Sequence, residues 1–186
     1  MGTTDRMTSE TAQPSLALVG ALVGALGKLH ALVLSVTDEQ YTRSGMKGFA
    51  SPLGAHVRHC LDHVDALLLG LQDEAPDPEV RYDRRERGTR LETDRRHALE
   101  VCKDRSNQVQ TLECSSLGSP VRVLALVSPD QPETAFESTG SRELLYVFHH
   151  TVHHLALMAA HAEHLGISME RELGRAPATL AADQDT

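Results

Sequence analysis

The sequence predicts an all-α fold: an up-and-down four-helix bundle with a small inserted β-hairpin before the last helix. The composition is 40% hydrophobic and 24% charged with only 3% aromatic residues and no tryptophan, so the core must be built from Leu, Val and Ala, which lean helical. Apolar residues recur at helical spacing in four separate segments. Between the third and the fourth lies a β-rich stretch broken by Gly118-Ser119-Pro120. A chain of 186 residues suits one such domain with tails and can bury its core.

Residues 1–14 are small and polar and read as a disordered N-terminal arm, ahead of a bundle domain over 15–166. The first helix is expected from Ser15 to about Thr37, with Asp38 and Glu39 extending it toward Tyr41. Its run from Leu16 to Val36 is apolar enough to raise the question of a membrane span. Gly20, Gly24, Gly27, Lys28 and His30 interrupt it and no basic flank anchors it, so an internal bundle helix is expected, with no membrane and no secretory leader. Its small residues permit close packing, which suggests a homodimer. Gly45 and Gly48 then open a loop.

Ser51-Pro52 reads as a helix start, with Ser51 as N-cap and Pro52 at the first helical position, where its missing amide hydrogen costs nothing. The second helix runs to about Leu71. Leu53, Val57, Cys60, Leu61, Val64, Leu68 and Leu71 form its apolar stripe, with Arg58, Asp62 and Asp65 expected to face water. Residues 77–92 read as a charged loop. Thr93 or Asp94 caps a third helix ending near Ser106-Asn107, and residues 109–127 form the hairpin about Gly118-Ser119-Pro120. Pro129 and Pro132 carry a loop to Ser138 or Ser141, which caps the fourth helix, and Gly166 stops it. Residues 167–186 read as a tail with one turn after Pro177.

The chemistry concentrates in the fourth helix. His149-His150-Thr151-Val152-His153-His154 gives two pairs at a spacing of four, each on one helix face, and such a pair matches the reach of a divalent ion. On a wheel of about 100° per residue, His150 and His154 share their sector with Val147, Leu157 and Met158, whereas His149 and His153 fall with Arg142 and Glu163. His150 and His154 are therefore the inward pair. On the second helix His56, His59 and His63 lie between the apolar and the charged faces, with His56 and His63 nearer the stripe. Facing helices of a bundle core are a common source of metal ligands. Single boundary histidines of this kind are more often packing residues, and it is the pairing that favours a metal.

Net charge is -8, so nothing overall invites nucleic acid, and no set of aromatic side chains is available for base stacking. The three cysteines, Cys60, Cys102 and Cys114, are widely spaced and odd in number, which argues against a disulfide framework and for a reducing, cytoplasmic setting. Arg84, Arg85 and Arg87 form a dense cationic run suited to a carboxylate or phosphate of a small-molecule substrate; the plainer alternative is a solvated face whose arginines pair with Glu79, Asp83 and Glu86.

Ser51-Pro52-Leu53-Gly54-Ala55-His56-Val57-Arg58-His59, together with His150-Thr151-Val152-His153-His154, resembles the DinB-like (DinB/YfiT) superfamily of four-helix bundle metalloproteins. The resemblance spans about residues 15–166, and its specific part is the two histidine segments. It implies a three-histidine metal site with one ligand from the second helix, at His59, and two from the last, at His150 and His154. His56 is the first alternative to His59 and His63 the second. His149 and His153 then lie outside or support the ligands.

The resemblance further implies a divalent transition metal (zinc, nickel or iron) and a metal-dependent thiol S-transferase or hydrolase. Arg84, Arg85 and Arg87 are the substrate-binding candidates. No side chain stands out as general base, with Asp83, Glu92 and Asp94 as guesses. The sequence departs from the better-characterised branches: it lacks the fused catalytic domain of the sulfoxide-forming enzymes, and its loop from Tyr82 to Asp94 does not match the thiol-transferase branch. A non-catalytic metal-binding or stress-related bundle is the alternative, favoured by a fourth protein ligand such as His56 or His63, and a metal-free, pH-sensitive histidine interface is a third reading.

Overall fold

A computed structural model describes residues 4–44, 51–73, 75–84 and 86–184. Among the described residues the chain forms α1 (Thr4–Ser35), α2 (Asp38–Thr42), α3 (Leu53–Gln72), β1 (Glu79–Val80), α4 (Arg90–Thr93), α5 (Arg95–Gln110), α6 (Cys114–Gly118), β2 (Pro120–Ala125), β3 (Thr134–Thr139), α7 (Gly140–His164) and α8 (Pro177–Gln184). The protein is mostly helical with one small sheet. The four long helices close a ring: α1 packs on α5 and α7, and α3 packs on the same two from the other side.

The core follows from helical periodicity. On α1 the residues Leu22, Leu26, Leu29 and Val33 repeat at spacings of three and four and are fully buried, as are Val57, Leu61 and Val64 of α3 and Leu144, Val147 and Met158 of α7. Each such buried side chain contributes about 1.5–3 kcal/mol relative to exposure. Pro14–Ser35 is long and apolar enough to cross a membrane by length and composition. Here one face of that stretch is the core face against α5 and α7.

Several boundaries depart from the sequence reading. The first helix begins at Thr4 and not at Ser15, so most of the expected arm is helical; no glycine interrupts the run before Gly20, and Pro14 removes only one backbone bond. Helix α1 ends at Ser35, and Thr37 opens α2 with a reciprocal capping box: its hydroxyl accepts from the Gln40 amide, and the Gln40 side chain accepts from the Thr37 amide. Pro52, and not Ser51, is the N-cap of α3, with no side-chain cap bond. Asp94 caps α5 by accepting the His97 amide at 3.0 Å. The loop opened by Gly45 and Gly48 lies outside the described residues.

The hairpin is displaced. Val109 belongs to α5, where it is fully buried, and residues 114–118 form α6 in place of a strand and turn. Burial of Val109 in the helical core overrides its β propensity. The strands are β2 and β3, paired antiparallel with Val121 opposite Ser138, Val123 opposite Phe136 and Ala125 opposite Thr134, and the turn carries Pro129 and Pro132. Strand β1 adds in parallel to β2, which makes a three-stranded sheet in the order β1-β2-β3.

Thr139, the last residue of β3, caps α7 by accepting the Arg142 amide, in place of Ser138 or Ser141. At the other end Gly166 takes φ 78°, its amide donates to Glu163 at 2.9 Å, and Ile167 donates to Ala162 at 2.9 Å. This is a Schellman stop, for which glycine is the favoured residue. Beyond it the expected tail is seated: Ile167, Met169 and Leu173 pack on the core and α8 follows.

Candidate metal centre

The sequence places histidines on α3 at 56, 59 and 63, and on α7 at 150 and 154. Because α3 packs on α7, the two faces meet. One nitrogen each from His59, His150 and His154 lies within 4.8 Å of the others. The rings form a triangle, with centroids 4.8 Å apart for His59 and His150, 4.7 Å for His59 and His154, and 4.6 Å for His150 and His154. His154 is buried and the other two are half-buried.

The donor set fits a divalent transition metal. A tetrahedral ion holding imidazole nitrogens at about 2.1 Å needs them about 3.4 Å apart. His59 Nε2 and His150 Nε2 stand 3.0 Å apart, close to that spacing.

The wheel for the second helix favours His56 and His63 over His59, and the structure shows what each does. His63, the most buried of the three, does not join the triangle. Its Nδ1 lies 2.9 Å from the His59 carbonyl. A carbonyl only accepts, so His63 carries a proton on Nδ1 and donates it there. Its ring stacks on His150, with centroids 4.0 Å apart at 18°, and on Tyr82, 5.1 Å apart at 14°. His63 therefore braces two of the three candidate ligands. His56 stands behind the third, with Nδ1 3.2 Å from His154 Nδ1, one ring donating and the other accepting. Burial holds the His56 pKa below its ordinary value. Burial also lowers that of His161, further along α7, with smaller contributions from His56 and His164. The site lies at the border of the core stripe, and His59 is the α3 histidine whose ring is close to both His150 and His154. His149 and His153 are exposed on the adjacent outer face of α7.

Two openings reach the triangle. The larger is a cleft of about 680 Å³ between α7 and the sheet, lined by His59, His63 and His150 and by Tyr82, Tyr146 and Phe136. The smaller, about 490 Å³, is lined by His56, His59, His154, Arg58, Arg87 and Glu92.

The candidate arginines are thereby separated. Arg87 lines the smaller opening. Arg84 faces away, 67% exposed, with Nε 3.6 Å from Glu133. Arg85 lies outside the described residues. Among the candidate bases, Asp83 lines the larger cleft and accepts the Leu126 amide at 2.8 Å, Glu92 is held by Arg58 and Gly88, and Asp94 is spent on the α5 cap. Arg58, expected to face water, is buried: Nη1 donates to Asp62 at 2.6 Å and to the Glu86 carbonyl at 3.2 Å, and Nε makes an ion contact with Glu92 at 2.7 Å. Those partners allow a guanidinium to be buried one residue before His59.

Sequence reasoning missed the cleft wall. Tyr146, His150 and His154 recur every four residues along one side of α7, and Tyr146 and His150 line the larger cleft. That spacing marks Tyr146 as a site residue beside the histidines. Phe136 and Leu126 carry no such local signal, since they come from the displaced hairpin.

No family profile matches the chain, and neither does any solved structure. Over 102 residues, 54% of its length, the chain is 32% identical to FK506-binding protein 5 of Rhizopus delemar (strain RA 99-880). The match spans only 26% of that relative's own length.

Proposed function

We propose that the chain is a DinB-like, up-and-down four-helix bundle protein in which His59, His150 and His154 hold a divalent transition metal, and that it serves as a metal-dependent thiol S-transferase or hydrolase. The observation that carries this reading is the convergence of three imidazole nitrogens from two helices within 4.8 Å of one another, two of them, from His59 and His150, on residues that line an open cleft. An ion bound there supplies a Lewis acid able to bind a thiolate or lower the pKa of water. The chain's own contribution is positioning. His63 fixes the His59 backbone and the His150 ring, His56 fixes His154, and Tyr82 and Tyr146 flank the approach.

A non-catalytic, metal-stapled bundle is the second reading, and the contact of His56 with His154 at 3.2 Å is what favours it, since a further protein ligand would close the site. Access to His59 and His150 from the larger cleft favours catalysis.

The test is elemental analysis of protein purified without an affinity tag, beside the His154→Ala variant. About one ion per chain, lost in the variant, is expected. Stoichiometric binding retained by His154→Ala would sink the site. No uptake, even after adding back zinc, nickel and iron, would remove the enzyme reading.

A further inference from the structure

The larger cleft changes character along its length. His59 and His150 line one part of it, and the rest of its wall carries a carbon patch: Val123 and Ala125 from one face of β2, Leu126, Phe136 from β3, and the rings of Tyr82 and Tyr146, whose centroids are 5.0 Å apart. Phe136 is 47% exposed and Leu126 52% exposed, so this carbon is open to a ligand and is not consumed by the core.

Two of the carboxylates in the same wall, Asp83 and Glu143, already have hydrogen-bond partners. The Asp83 carboxylate accepts the Leu126 amide at 2.8 Å. The buried Glu143 carboxylate accepts the Tyr82 hydroxyl at 2.8 Å, the Ser138 hydroxyl at 2.6 Å and the Arg142 guanidinium at 3.3 Å. A hydrogen-bonding group placed against Asp83 or Glu143 competes with these contacts, which is unfavourable. Away from the histidines the charged side chains lining the cleft are Asp83, Glu137 and Glu143 against Arg142, so an anionic body beyond a metal-bound head meets more carboxylates than cations.

We propose that the cleft takes a small molecule with one metal-binding head, of the thiol class, on an uncharged aryl or alkyl body, and discriminates against thiols whose body carries a carboxylate or sulfonate. The head rests on the metal-centre reading above; the preference for the body rests on the cleft wall alone. A cavity of about 680 Å³ has room for a ligand of this kind.

The test uses tag-free protein as purified and three probes with a common thiol: 3-phenylpropane-1-thiol, propane-1-thiol and 3-mercaptopropane-1-sulfonate, followed by titration calorimetry with metal content measured on the same samples. The aryl thiol should bind about tenfold tighter than propane-1-thiol, a difference well within the reach of one ring's burial, and the sulfonate should bind weakest. Phe136→Ala, at a half-exposed position that should tolerate truncation, should erase the aryl advantage and leave metal content unchanged. Tyr146→Ala should reduce that advantage on its own. Equal affinity for the aryl and propyl thiols, a sulfonate that binds as tightly as either, or an aryl advantage intact in both variants would overturn the proposal. Aryl preference in protein that holds no metal would uphold the body preference while removing the proposed metal centre; metal without aryl preference would do the reverse.

Discussion

The Tyr82 hydroxyl donates to Glu143 at 2.8 Å across 61 residues of sequence. Glu143 is 2% exposed and also accepts from Ser138, so one buried carboxylate ties the loop after β1, the end of β3 and the start of α7 together. The Tyr82 ring in turn stacks on His63, and His63 on His150. The cleft wall and the candidate ligands are thus parts of one packed unit. Burial, and then the Glu143 charge, raise the Tyr82 pKa, so the phenol stays protonated and remains a donor.

Tyr82→Phe tests the polar half of this link, because it keeps the stacked ring and removes only the donor. Hydrogen bonds to charged groups contribute about 1.5–3 kcal/mol, and a loss of that size is expected in the unfolding free energy from urea titration, with metal content unchanged. Unaltered stability would mean that Ser138 and Arg142 satisfy Glu143 without Tyr82.

Arg58 supports the other side of the site. Removing a charged partner from a buried pair costs about 3–5 kcal/mol, and the partial exposure of Asp62 and Glu92, at 18% and 19%, places Arg58→Met near the lower bound. Arg58→Lys should recover only part of the loss, since an ammonium cannot reach Asp62, Glu92 and the Glu86 carbonyl with one rigid fork. Full recovery by lysine in equilibrium unfolding would show that charge alone matters there.

What was legible in the sequence is what depends on local periodicity. The apolar stripes of α3 and α7 and the two inward histidines at 150 and 154 follow from helical spacing, and the His59 position came from the family resemblance. The polar wheel position of Arg58 points to water, but its partner Glu92 arrives from a different element. Val109 has β-forming neighbours, yet it sits fully buried on the last turn of α5. Phe136 and Leu126 reach the cleft only through a strand pairing that no short window contains. The misses share a cause: each is decided by contacts distant in sequence.

The cysteines separate by environment, and none is in a disulfide. Burial raises the Cys60 thiol well above its ordinary value, with smaller contributions from Cys102 and Asp62, and pushes Cys102 up to about 12. The thiolate is the reactive form, and both side chains are closed to solvent, whereas Cys114 at the start of α6 is half-buried. Iodoacetamide on the native protein at neutral pH should therefore modify Cys114 and spare the other two until denaturant is added, as read by intact mass and peptide mapping. Modification of Cys102 at the rate of Cys114 would reveal frequent opening between α1, α3 and α5.

Two glycines should respond to the same substitution with opposite sign. A methyl group on Gly54 would lie 2.2 Å from the Glu92 carbonyl oxygen and 2.8 Å from the Tyr41 ring. Tyr41 is fully buried and its hydroxyl is fixed at 2.6 Å on the Leu91 carbonyl, so neither neighbour yields cheaply. Gly54→Ala must push α4 away from α3 and should cost about 1–3 kcal/mol, the usual range for overpacking. Gly20 lies within α1 with nothing near its missing Cβ. Gly20→Ala should stabilise by about 0.5–1 kcal/mol, because alanine loses less backbone freedom than glycine in a helix. Thermal or urea unfolding of the two variants decides the matter: a Gly54→Ala protein as stable as the parent would mean that α4 is not seated on the first turn of α3, and with it the placement of Glu92 against Arg58 would fall.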